Sequence, residues 1–93
     1  MLKRYNIEII EGDENSKELG KRSKFGGTPD WIQNDETPKC QHCKKQMTFV
    51  GQIDSFDYTG RVDGPRDYMF GDVGMIYIFF CKDCGCCHSV FQE

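Results

Sequence analysis

Two Cys-x-x-Cys pairs, Cys40-Gln41-His42-Cys43 and Cys81-Lys82-Asp83-Cys84, constrain this chain more than any other feature. A two-residue spacer lets both sulfurs of a pair face one ion from a tight turn. The free backbone N–H groups of that turn can donate to the thiolates. Gly85, directly after the second pair, suits the left-handed or otherwise strained backbone that such a turn tends to need. Two pairs complete the tetrahedral S₄ shell that zinc accepts without strain. Joining them also closes a loop of about forty residues, worth about 4 kcal/mol on the cross-link entropy model.

The size of the chain explains why it needs this closure. Its 93 residues support one core, so a single domain over residues 1–93 is expected. Only 38% of them are hydrophobic, below the usual range of roughly 45–50%. Ordering such a chain costs about 1.5 kcal/mol per residue, which burial at about 25 cal/mol per Å² barely offsets. A structural zinc contributes on the order of 10–16 kcal/mol, more than the roughly 5–15 kcal/mol of a whole domain. Compartment decides between thiolates and disulfides. Lys3 and Arg4 are followed by no apolar h-region, and residues 75–81 are too short a run to span a bilayer. A cytoplasmic chain with reduced cysteines is therefore expected, with disulfides the lesser reading. Spacing does not separate zinc from the single iron held by paired Cys-x-x-Cys turns in rubredoxins.

The remaining pattern is mostly β. Tyr5, Ile7 and Ile9 alternate with polar neighbours, as in a half-buried strand over residues 5–10. Residues 11–24 read as polar loop with one helical turn near residues 16–19, and residues 1–24 as partly flexible. Gly26, Gly27 and Pro29 interrupt regular structure, and the isolated Trp31 beside them reads first as a core plug and second as a surface hot spot. Residues 47–56 predict a strand with Met47, Phe49, Gly51 and Ile53 on one face. Residues 57–67 form a turn-rich insertion. Residues 75–80 are apolar at every position, as in a central strand covered on both faces, and residues 88–91 pair beside them. The expected fold is a small antiparallel sheet with few or no helices, its strand ends pinned by a zinc-ribbon-like Cys₄ site.

Other chemistry is thinly represented. Four equivalent thiolates leave no open position at which a metal could activate water. No nucleophile–base order or phosphate-binding glycine loop is visible. Cys86 and Cys87 read as small buried thiols facing opposite ways on the last strand, in preference to a second metal site shared with His42 or His88. The carboxylates Asp54, Asp57, Asp63, Asp67 and Asp72 read as solvated charges before they read as catalysts. The net charge of −3, made more negative by metal thiolates, lacks the basic stripe of nucleic-acid readers.

The order Gly26-Gly27-Thr28-Pro29-Asp30-Trp31-Ile32-Gln33, Pro38-Lys39-Cys40-Gln41-His42-Cys43, Met47-Thr48-Phe49, Gln52-Ile53-Asp54, Phe70-Gly71-Asp72-Val73-Gly74 and the strand ending at Cys81 resembles the YwqG-like proteins. The Gly-Gly-x-Pro-x-Trp, cysteine-pair and Met-x-Phe-x-x-Gln order is also similar to the programmed cell death protein two-like family. The resemblance runs from Phe25 onward. It implies a β-rich fold, no established enzymatic activity, and a protein-binding role of the immunity or chaperone type. The chain is shorter than usual YwqG-like members and carries a complete four-cysteine set that many of them lack.

These readings converge on a non-catalytic, zinc-stabilised module that binds one protein partner, a basic one by charge. Trp31 and the loop aspartates Asp57, Asp63 and Asp67 are the candidate contacts. The alternatives are a rubredoxin-like iron electron carrier and a zinc-ribbon nucleic-acid binder. Ligands and bystanders separate by mutation. Cys81→Ser should abolish metal retention and largely unfold the chain, whereas Cys87→Ser should cost no more than about 0.5–3 kcal/mol. Metal content and thermal melting of the two variants check this; the opposite ranking would reverse the ligand assignment.

Overall fold

A computed structural model describes residues 4, 6–12, 22–55 and 74–93. Four strands run in the order β1 (Lys24–Phe25), β2 (Thr48–Asp54), β3 (Met75–Phe80) and β4 (Cys87–Gln92), all antiparallel to their neighbours. The described residues contain no α-helix, and so none that is long and apolar enough to cross a membrane. The mainly β architecture expected from the sequence is the one observed.

One face of the sheet carries the core. Met75, Tyr77 and Phe79 alternate along β3 and are fully buried, joined by Cys40, Met47 and Cys81. Trp31 closes this face from the loop before the first cysteine pair. Its ring lies 4.4 Å from that of Tyr77 and stacks 5.9 Å from that of Phe79, while Phe49 meets Phe79 edge-on at 5.6 Å. Such aromatic pairs contribute about 0.5–1.5 kcal/mol each beyond their burial. Trp31 is thus half-buried packing against the core, as the plug reading expects.

Three buried polar side chains, one from each long strand, fasten the Trp31 loop to the sheet. Gln52 of β2 accepts the Asp30 N–H at 3.0 Å and donates to the Arg22 carbonyl and the Asp30 carboxylate. The Tyr77 hydroxyl donates to the Asp30 carbonyl at 2.7 Å and accepts the Ile32 N–H at 3.1 Å. Gln92 of β4 accepts the Gln33 N–H and donates to the Asn34 carbonyl and the Glu36 carboxylate. A loop over a core needs its backbone groups satisfied, because an orphaned buried group costs about 1–3 kcal/mol. These amides and the phenol supply those partners.

A bulge in β2 makes the arrangement possible and changes one sequence expectation. Phe49 lies opposite Phe79 but Gly51 lies opposite Ile78, so Val50 is an extra residue. Met47 and Phe49 face the core as expected, but beyond the bulge Gln52 and Asp54 turn inward and are buried. Gly51 and Ile53 move to the opposite face, because one extra residue reverses the alternation. Asp54 meets Arg22 at 2.8 Å, and its N–H donates to the Ser23 hydroxyl at 2.8 Å, which binds the stretch before β1 to the end of β2.

The expected coverage of both faces of β3 is only half realised. Ile76 and Ile78 are half-buried and Phe80 is 39% exposed on the open face. The expected strand over residues 5–10 is not formed by Asn6, Ile7, Glu8, Ile9 and Ile10, whose isoleucines are exposed. Alternation alone makes no strand without a neighbouring backbone to pair with. The expected helical turn near residues 16–19 and the insertion over residues 57–67 lie outside the described residues.

Gly51 is where a side chain would do most harm. A Cβ there would sit 2.6 Å from the Lys24 carbonyl oxygen and 3.3 Å from the Phe25 ring, so β1 could not pair as it does. Gly51→Ala should destabilise by about 1–3 kcal/mol, as overpacking does. Gly12→Ala, whose Cβ would meet nothing within 4 Å, should stay within about 0.5 kcal/mol of wild type. Chemical denaturation of the two variants at fixed metal concentration checks the contrast.

Candidate metal centre

The two cysteine pairs sit on turns with the same hydrogen-bond frame. In the first, the Cys40 N–H donates to the Lys45 carbonyl and the Lys44 N–H to the Cys40 carbonyl, each at 2.9 Å. In the second, the Cys81 N–H donates to the Cys86 carbonyl and the Gly85 N–H to the Cys81 carbonyl, each at 2.8 Å. The residue one past each pair is left-handed: Lys44 at φ 65° and Gly85 at φ 72°. Gly85 takes this conformation as its residue type suggests. Lys44 takes it against its type, at a cost of roughly 1–2 kcal/mol, and its ammonium donates to the Gln41 carbonyl at 2.8 Å.

These frames bring the four sulfurs together at the end of the β2–β3 pair. The Sγ atoms of Cys40, Cys43, Cys81 and Cys84 all lie within 4.8 Å of one another, and Cys43 and Cys81 are 3.6 Å apart. A tetrahedral ion with metal–sulfur bonds of about 2.3 Å sets its sulfurs about 3.8 Å apart. The cluster therefore fits one divalent ion with all four cysteines as ligands. No disulfide joins any of the six cysteines. Cys40 and Cys81 are buried and belong to the hydrophobic core, whereas Cys84 is exposed. Across the two turns, Lys45 pairs with Asp83 at 3.1 Å, which raises the lysine pKa, with the Cys43 charge adding to the effect.

Electrostatics favours anionic sulfur at one of the four positions, Cys40. The Cys40 thiol is lowered to about 6, chiefly by the backbone N–H of Cys43 and then that of His42. Cys84 moves the other way, to about 12, because its proton is shared with Cys40, with burial next in effect. Without a cation the cluster keeps protons, since like charges at this distance cannot all be ionised together.

Cys86 is half-buried against the core and Cys87 is exposed, so the expectation that both are buried does not hold. They do face opposite ways: Cys87 pairs with Phe80 at the open face. Burial, followed by the Cys40 charge, raises the Cys86 pKa. His42 and His88 line a groove of about 280 Å³ together with Cys86 and Cys87. Their ligand atoms form no second converging group among the described residues. Of the candidate contacts, Trp31 packs over the core side of the sheet, while Asp57, Asp63 and Asp67 lie outside the described residues. Among the alternative carboxylates, Asp54 is buried against Arg22 and Asp72 is not described. The residues that sequence reasoning passed over are Lys44, Gln52, Tyr77 and Gln92. The visible signal for Gln52 and Gln92 was an amide inside a strand where an apolar residue is the rule.

No family model matches the chain, and no solved structure matches it. It is 30% identical over 71 residues, 76% of its length, to the "Uncharacterized protein YpfL" of Salmonella typhimurium. The matched stretch is 15% of that relative, so the chain spans a small part of the curated protein it matches.

Metal affinity should rise with pH. Cys84 keeps its proton until about pH 12 in the metal-free protein, so binding near neutral pH must displace it. Each displaced proton makes affinity increase about tenfold per pH unit. Competition with a chelator between pH 6 and 8 (about two units around neutrality) measures the slope. A flat profile would mean that Cys84 does not bind metal as a thiolate.

Proposed function

We propose that this chain is a zinc-stabilised, non-catalytic module that binds one protein partner. The observation that carries the reading is the convergence of Cys40, Cys43, Cys81 and Cys84 at one end of the sheet. An S₄ shell saturates zinc, so the ion would act as a cross-link between the two turns and hold no water for chemistry. Each cysteine pair adjoins a long strand, and two of the four thiols are part of the core. Loading the site would therefore stabilise the sheet directly.

The partner reading rests on other grounds. The resemblance to the YwqG-like and programmed cell death protein two-like families points to protein binding. In the Salmonella relative the matched stretch is a small part of a long protein, as suits a module. The net charge of −3 favours a basic partner, and electrostatic steering would make its on-rate fall with salt.

Elemental analysis of protein purified without added metal should give about one zinc per chain. A red protein with iron at that stoichiometry would establish the electron-carrier alternative. Capture of a basic protein from the source cell, reproduced with both components purified, tests the partner. Specific retention of nucleic acid in its place would favour the nucleic-acid reading.

A further inference from the structure

The face of the sheet away from the metal-linked core carries a second feature. A cleft of about 830 Å³ lies between residues 7–12 and the open face. One wall is formed by Ile7, Ile9 and Ile10, exposed at 75%, 80% and 78%. The other is formed by Phe25, Ile53 and Ile78. The volume lies within the roughly 300–1,000 Å³ of ligand-binding clefts, which are mostly apolar. Isolated exposed apolar residues are ordinary, but six facing each other across one cleft are not.

Charge and backbone define what fits. Arg22 and Lys24 border the cleft but are engaged by Asp54 at 2.8 Å and Asp30 at 3.2 Å. Among the described residues, the cleft therefore offers an acidic ligand no cation that is not already paired. Glu8 and Glu11 border it as well and are exposed, which favours basic groups beside the apolar part of an occupant. The backbone of residues 7–12 makes no hydrogen bond to another described residue, although the segment runs beside a sheet. An extended occupant could satisfy those groups while its alternate side chains enter the apolar walls, as in strand addition.

We propose that this cleft receives an extended apolar segment, flanked by basic residues, from the protein partner. The inference rests on the protein-binding reading above and names the surface that performs it. It also gives the isoleucine alternation of residues 7–9 a purpose that the chain's own pairing does not. The Trp31 side of the sheet, filled by its own loop, is left to stability.

Calorimetric titration with a capped peptide of alternating valine and threonine, with one lysine at each end, tests the proposal on the metal-loaded protein. Saturable one-to-one binding is expected, weakened at least tenfold by Ile53→Asp and by Ile9→Asp. Ile9 is already exposed, so the second variant leaves the sheet intact. Metal content and Trp31 fluorescence, which report the opposite face, should match wild type in both. Replacing the peptide's lysines by glutamates should weaken binding at least threefold. Absence of saturable heat would overturn the proposal, as would equal affinity for both variants. A wild-type dimer in sedimentation that Ile53→Asp dissociates would also overturn it, because the occupant would then be a second copy. An identified partner whose affinity is untouched by these substitutions would overturn this inference and leave the protein-binding reading standing. Peptide binding by a protein that holds no zinc would do the reverse for the metal.

Discussion

Four cysteine sulfurs within 4.8 Å of one another are the constraint on which the rest of this structure depends. Ionised thiolates at that distance repel, and protonated thiols pack too weakly to hold two turns together. A divalent cation bound there would resolve the conflict by turning four mutually repelling groups into ligands. The matched hydrogen bonds of the two turns keep the sulfurs close enough for that exchange. Cys40 and Cys81 are also core residues, packed in one hydrophobic cluster with Met47 and Phe79, so an ion that lowered the negative charge of the thiolates would also tie down the core. The candidate metal site and the core share these two cysteines at this end of the molecule.

The other end is held by polar chemistry. Gln52, Tyr77 and Gln92 present one buried polar group from each of three adjacent strands to the loop that carries Trp31. A small sheet has too few apolar residues to cover its own core face, and this chain covers it with a loop. That loop brings backbone N–H and carbonyl groups to a dry surface, which is tolerable only if partners are waiting. The bulge at Val50 turns Gln52 toward the loop. Without it Gln52 would point away and Gly51 would face the core. The positive-φ glycine Gly26 donates its N–H to the Val50 carbonyl at 2.7 Å, fastening the turn after β1 to the bulge.

The sheet that results is strongly two-sided. One side is filled by Trp31 and the aromatic residues of β2 and β3. The other leaves Phe25 66% exposed and Phe80 39% exposed. In a chain of this size the apolar content is scarce, so leaving part of it uncovered has a stability cost that a bound metal would offset. A domain cross-linked at one end can keep an unfilled apolar surface without collapsing onto it. On the function proposed above, that separation of labour would link the cysteine cluster to recognition although the cleft and the cysteines lie on different parts of the fold.

The sequence by itself determined the cysteine pairing and the strands over residues 48–54, 75–80 and 87–92 to within a few residues, and it favoured a special backbone at Gly85 and a plugging role for Trp31. Each follows from local chemistry: ligand spacing, glycine's freedom, hydrophobic runs between turns, and a lone large aromatic in a polar stretch. Only the tertiary structure decided which face each residue of β2 occupies, since a single extra residue at Val50 reverses the alternation and no local pattern marks it. It also decided that residues 6–10 form no strand, because pairing is a property of two backbones. The left-handed Lys44 was likewise hidden, for its conformation is imposed by closure of the turn around Cys40 and Cys43. What a segment contributes through its own residues was legible. What it owes to a neighbour distant in the chain was not.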